Sequence, residues 1–134
     1  MNISRLASIT KRAGARRTRP LVAVVDDDPA VRRLVWTVLV DAGFDVAEAA
    51  DGEEALRVIE DRPPRLLLLD IQMPHVDGPS LVHELRSRLH DLPVVVMTGR
   101  PHQEREADRC NAVAALAKPF DTDRLVGLVR RFAR

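Results

Sequence analysis

The sequence predicts an α/β fold, a five-stranded parallel sheet covered by helices on both faces. Three observations carry this. Leu21-Val22-Ala23-Val24-Val25, Leu66-Leu67-Leu68-Leu69 and Val94-Val95-Val96-Met97 are near-continuous apolar runs, as expected of strands buried on both faces. Stretches with helical spacing separate these runs, and helical crossovers join parallel strands with right-handed connections. At 134 residues, the chain suits one domain with one sheet.

The elements follow in order. Residues 1–20 lack periodicity and are expected to be a disordered basic arm, with Pro20 at the boundary. Residues 21–25 form the first strand and run into Asp26-Asp27-Asp28. Asp28-Pro29 then reads as an N-cap followed by proline at the first helical position. Val31, Leu34, Val35, Val38, Leu39 and Ala42 make the expected buried face of the first helix, and Gly43 stops it. The second strand spans 44–49. Asp51 with Glu54 three residues on predicts a capped second helix through Ala55, Leu56 and Ile59, ending before Pro63-Pro64. The third strand, Leu66–Asp70, is followed by Met73-Pro74 and Asp77-Gly78-Pro79, which forbid simple continuation.

A third helix is expected over 78–89, with Leu81, Val82, Leu85 and Leu89 inward. The fourth strand spans 92–98, a weakly amphipathic helix 101–109 and the fifth strand 113–117. The last helix runs over 120–134 and buries Leu125, Leu128, Val129 and Phe132.

Composition narrows the function. Hydrophobic content of 46% with 31% charged residues reads as soluble and globular. No apolar run is long enough for a membrane span or placed to be a signal peptide. The single cysteine, Cys110, excludes an internal disulfide and fits a reducing cytoplasm. The net charge of +1 is unevenly spread. Arg5, Lys11, Arg12, Arg16, Arg17 and Arg19 face no acid in the first 20 residues, which leaves the rest of the chain at −5. That balance does not suggest a nucleic-acid-binding domain. Of 21 basic residues only Lys11 and Lys118 are lysines. A lysine retained between Ala117 and Pro119 suggests a position that wants a compact charge and not a fork.

In open α/β sheets, ligands bind at the carboxyl ends of the strands. There the first strand offers Asp26, Asp27 and Asp28, the third Asp70, the fourth Thr98 and the fifth Lys118. Taken singly these are ordinary: a helix cap, turn residues, a strand-end hydroxyl, a surface charge. If the first, third, fourth and fifth strands are neighbours, these groups surround one crevice. Two carboxylates about 4 Å apart repel by roughly 4 kcal/mol at an effective dielectric near 20, so one is protonated or a cation neutralises them. Oxygen ligands without His or Cys suit Mg²⁺ and argue against zinc or copper. A cation, an ammonium and a hydroxyl about one carboxylate suit phosphoryl transfer through an acyl phosphate.

These stretches resemble the receiver domain of two-component response regulators. The matching residues are Val24-Val25-Asp26-Asp27-Asp28-Pro29, Leu68-Leu69-Asp70-Ile71-Gln72-Met73-Pro74 with Asp77-Gly78, Val96-Met97-Thr98-Gly99 and Ala117-Lys118-Pro119-Phe120. The resemblance covers residues 21–134. It implies a flavodoxin-like, doubly wound sheet of order 2-1-3-4-5 with five helices. It implies that Asp70 accepts a phosphoryl group from a sensor histidine kinase or a histidine phosphotransfer protein. Asp26, Asp27, Asp70 and the Gln72 carbonyl would hold Mg²⁺, Lys118 would pair with Asp70, and the Thr98 hydroxyl would meet the phosphoryl group. Such a chain processes its own acyl phosphate and is not a turnover enzyme.

Two departures stand out. Ala115 occupies a position where the family often has a switching aromatic, and Asn111 stands where glycine is common, a residue that tolerates positive φ. Gln72 and Arg100 flank the site where they would tune dephosphorylation. Because the last helix runs to residue 134, the expectation is a stand-alone cytoplasmic receiver. It would have no DNA-binding domain and no membrane span, would be a monomer or weak dimer, and would act on a downstream protein target. Trp36 and Val40, placed away from the buried face near Arg33, are a candidate docking patch, unless Trp36 packs against the last helix. His75, His83, His90 and His102 are read as neither ligands nor catalysts. Two competing functions are a phosphate-free binding module, motivated by Ala115, and a Mg²⁺-dependent phosphohydrolase, for which no further acid or base is evident.

Overall fold

A computed structural model describes residues 19–99 and 104–134. The arm residues before Arg19, together with Arg100 and His102, lie outside the described residues. The strands are β1 (Leu21–Val25), β2 (Asp45–Ala49), β3 (Leu66–Asp70), β4 (Val94–Thr98) and β5 (Ala114–Ala117). The helices are α1 (Pro29–Asp41), α2 (Gly52–Asp61), α3 (Gly78–Arg88), α4 (Glu104–Arg109) and α5 (Thr122–Phe132). All strand pairs are parallel and the sheet order is 2-1-3-4-5.

Alternation along the strands makes two cores. Ala23, Val25, Leu67, Leu69, Val94 and Val96 face α2 and α3, meeting Ala55, Ile59, Leu81, Val82 and Leu85. Val22, Val24, Leu66, Leu68, Val95, Met97 and Leu116 face α1 and α5, meeting Val35, Leu39, Leu125 and Val129. The leucine run of β3 is fully buried because it feeds both cores.

Local chemistry sets the helix ends. The Asp28 carboxylate accepts the Ala30 N–H at 2.9 Å, with Pro29 at the first helical position. Asp51 accepts the Glu54 N–H at 2.8 Å, and Glu54 reaches back to the Ala50 N–H at 2.8 Å. Gly43 ends α1 at φ +103, and Asn111 takes the left-handed turn before β5 at φ +51.

The first helix departs from expectation. Leu34, placed on its buried face, is 44% exposed. Trp36 and Val40, placed on its outer face, are half-buried against the core that α1 shares with α5. The buried stripe centres on Val35 and Leu39, and Leu34 and Trp36 flank it on opposite sides. The second layer covers the Trp36 side and leaves Leu34 open. The exposed Trp–Val patch is therefore absent, and Trp36 is a packing residue. Smaller differences are a fourth strand that begins at Val94, after Pro93, and an exposed Val113 just before β5.

Candidate functional site

Four of the five strands deliver the candidate residues to one end of the sheet. Asp26 and Asp27 follow β1, Asp70 closes β3, Thr98 closes β4, and Lys118 follows β5. Register keeps them level. Val25 pairs with Leu69, Asp70 with Met97, and Thr98 with Ala117. The Lys118 N–H donates to the Thr98 carbonyl at 2.7 Å and holds the start of the lysine loop against β4.

One carboxylate oxygen from each of Asp26, Asp27 and Asp70 lies within 4.8 Å of the other two. Asp26 is fully buried and Asp70 only 3% exposed, whereas Asp27 is exposed at the mouth. Lys118 Nζ lies 2.6 Å from Asp26 Oδ2 and 3.5 Å from Asp70 Oδ2. The ammonium thus bridges the two buried acids and sits closer to Asp26. Main-chain donors hold the other oxygens, with the Asp28 N–H on Asp26 Oδ1 at 2.9 Å and the Gln72 N–H on Asp70 Oδ1 at 3.0 Å. Arg32 secures the turn from outside, donating to the Asp26 carbonyl at 2.6 Å and to Glu48 at 3.3 Å.

The electrostatics follow from this packing. Burial pushes the Asp70 carboxyl above its ordinary range. The Gln72 N–H draws it back, the neighbouring Asp26 raises it again, and Lys118 lowers it. For Lys118, burial alone would lower the ammonium's pKa. The hydrogen bond and charge of Asp26, then those of Asp70, outweigh burial and raise it. Three carboxylates against one ammonium leave a negative surplus. An all-oxygen set with that surplus fits a hard divalent cation, and no His or Cys belongs to it.

Asp28, read with this group as a strand-end acid, is spent on capping α1. Gln72 contributes its main-chain N–H to Asp70, and its side chain accepts the Gly99 N–H at 2.5 Å. That side-chain contact spans 27 residues, and no local pattern announces it. Ala115 is exposed on β5 and its carbonyl accepts from Arg124 at 3.3 Å, so that position carries no ring. The buried Cys110 thiol is pushed up to about 11, chiefly by burial and then by Glu106. It stands apart from the acids, under α3. No helix among the described residues is long and apolar enough to cross a membrane.

Residues 22–130 match the family model described as the response regulator receiver domain. Transcriptional regulatory protein PrrA of Mycobacterium tuberculosis is 40% identical over 119 residues, 87% of this chain and 51% of PrrA. DNA-binding transcriptional regulator NtrC of Escherichia coli is 36% identical over 115 residues, 84% of this chain and 24% of NtrC. The crystal structure of the receiver domain of NtrX from Brucella abortus superposes with a TM-score of 0.75 at 37% identity, covering 84% of this chain and 97% of that domain.

The chain spans about a quarter of NtrC and about half of PrrA. This corrects the expectation of a stand-alone monomer or weak dimer with no DNA-binding domain of its own, partnered by a sensor kinase or phosphotransfer protein and a separate downstream target. Similar receivers are parts of longer regulators, one of them DNA-binding by name, and the position of residue 134 says nothing about what a receiver is joined to.

Proposed function

The chain belongs to the response regulator receiver domain family, and from that premise we propose that it carries phosphorelay signalling by taking a phosphoryl group onto Asp70. The observation that carries this reading is the buried Asp70 carboxylate, bridged by Lys118 to Asp26 with Asp27 at the mouth. We assign the receiver to residues 21–134 and treat the basic arm before it as a separate segment.

In the proposed reaction, an Asp70 oxygen attacks phosphorus of a phosphohistidine donor. The P–N bond breaks, its electron pair stays on the imidazole nitrogen, and that nitrogen takes up a proton. The product is an aspartyl phosphate. Lys118, already shared between two acids, shifts its charge toward the phosphoryl oxygens, and the Thr98 hydroxyl donates to another. Water attack at phosphorus later releases phosphate and restores the carboxylate. Asp26, Asp27 and Asp70, with the Gln72 main-chain oxygen, are the residues that would hold Mg²⁺, which when bound adds positive charge beside the transferring group. The donor chemistry and the lone reduced cysteine agree with a cytoplasmic setting.

Intact mass after incubation with Mg²⁺ and acetyl phosphate tests this. The expected result is a gain of one phosphoryl group that disappears with EDTA and in Asp70→Asn. No gain in a protein shown separately to bind Mg²⁺ overturns it in favour of a binding module that carries no phosphate.

A further inference from the structure

Gln72 grips the site twice. Its main-chain N–H holds Asp70 Oδ1 at 3.0 Å, and its side-chain oxygen accepts the Gly99 N–H at 2.5 Å. Because the partner is a donor, the carboxamide must turn its oxygen, not its NH₂, toward Gly99. Gly99 follows Thr98 at the end of β4, beside the strand that ends in Asp70. A Cβ at residue 99 would lie 2.9 Å from Gln72 Oε1 and 3.9 Å from Lys118 Cβ. Glycine therefore lets this segment sit between the carboxamide and the lysine, with its N–H already engaged.

A phosphoryl group on Asp70 brings oxygens that need donors in this space. The Gly99 N–H is a main-chain donor at the exposed end of β4, directly after Thr98 and near Lys118. We propose that the Gln72 carboxamide is a latch. It occupies the Gly99 N–H in the resting site, and phosphorylation exchanges Gln72 Oε1 for a phosphoryl oxygen. The inference rests on the receiver reading above. An anionic acceptor makes a stronger bond to an N–H than a neutral carbonyl does, so the exchange is favourable once the phosphoryl group arrives. Before that, the latch reduces apparent affinity by the fraction of molecules in which it is closed. Gln72 is in this sense a positioning residue, acting through the Gly99 N–H.

Titration with beryllofluoride, a stable mimic of the phosphoryl group, tests the latch in wild type, Gln72→Met and Asp70→Asn. Methionine keeps the length of glutamine and removes the acceptor. Gln72→Met is expected to bind beryllofluoride about threefold to tenfold more tightly, the worth of one neutral hydrogen bond. A residue that merely supports the fold would weaken binding when replaced, so equal or weaker binding overturns the latch. Residual binding by Asp70→Asn overturns the receiver reading instead. NMR of the ligand-free wild type gives a second check that no variant's folding affects. The Gly99 amide proton should lie downfield, as in a short hydrogen bond, and should shift when beryllofluoride is added. A Gly99 amide at a solvent-exposed shift would overturn the latch by itself.

Discussion

The two ends of the sheet treat polar groups in opposite ways. At the amino ends of the strands, arginines are spent on main-chain oxygens. Arg62 donates to the Arg19 carbonyl at 2.8 Å and to Asp45 at 3.0 Å, which ties the starts of β1, β2 and β3. Arg86 donates to the carbonyls of Leu92, Cys110 and Asn111, at 2.7 to 3.2 Å, just before β4 and β5. Both guanidiniums meet acceptors within the chain. At the carboxyl ends three carboxylates converge on one lysine. Arg32 does at this end what Arg86 does at the other, holding the Asp26 carbonyl, but the side chains it helps to place are left with surplus charge. One end is built to be satisfied within the chain. The other leaves more carboxylates than cations among the described residues.

Substitutions at the two ends should therefore separate stability from chemistry. The largest effect is expected for Lys118→Met. Phosphoryl uptake from acetyl phosphate should fall by about 10²-fold or more, the scale of removing one preorganised charge-stabilising donor. Stability should also fall, by about 3 to 5 kcal/mol, because the buried Asp26 loses its counterion. Denaturant melts and mass-detected phosphorylation read the two losses separately. Uptake at the wild-type rate would break the assignment of Lys118 to the chemistry.

Arg86→Ala is the matching change at the amino end. Three carbonyls lose a charged donor, and the cost is expected to be about 2 to 3 kcal/mol in urea unfolding. Phosphoryl uptake by the folded fraction should stay at the wild-type rate. A large drop in uptake would mean that the two ends are coupled through β4 and the contrast does not hold.

How far each end was legible in the sequence follows from the same difference. Strand-end acids, a threonine and a lysine are visible once the apolar runs are recognised, because each is fixed by position along its own strand. The caps at Asp28 and Asp51 and the turns at Gly43 and Asn111 are visible too, since their partners lie within a few residues. The amino end was not legible. Arg86 finds carbonyls 24 and 25 residues away, and one arginine among many carries no mark of that role. The same limit explains α1. Period alone defines a stripe around Val35 and Leu39, but which flank is covered depends on where α5 lies, and Trp36 and Leu34 exchanged the roles expected of them. Lys118 was expected beside Asp70 and stands nearer Asp26, a distinction set by the depth of each acid and not by spacing.

The smallest effect is also the sharpest in sign. Folding buries Asp70 and raises its pKa, with the Asp26 charge adding to the rise. The unfolded chain therefore gives up this proton at lower pH than the folded one. The resulting penalty on the fold is fully present above the folded-state pKa and is relieved as pH falls toward the unfolded value of 3.8. Asp70→Asn removes the penalty. In the absence of divalent cations the variant should melt above wild type at neutral pH, by about 2 to 8 °C for each kcal/mol of penalty removed. The gap should shrink as pH is lowered toward 4. Adding Mg²⁺ should shrink it from the other side, because a ligand that binds only the folded wild-type site stabilises that protein alone. Thermal melts of both proteins at several pH values, with and without Mg²⁺, read this directly. A variant less stable than wild type at neutral pH would mean that Lys118 already balances the cluster, and the carboxyl end would then be satisfied within the chain as the amino end is.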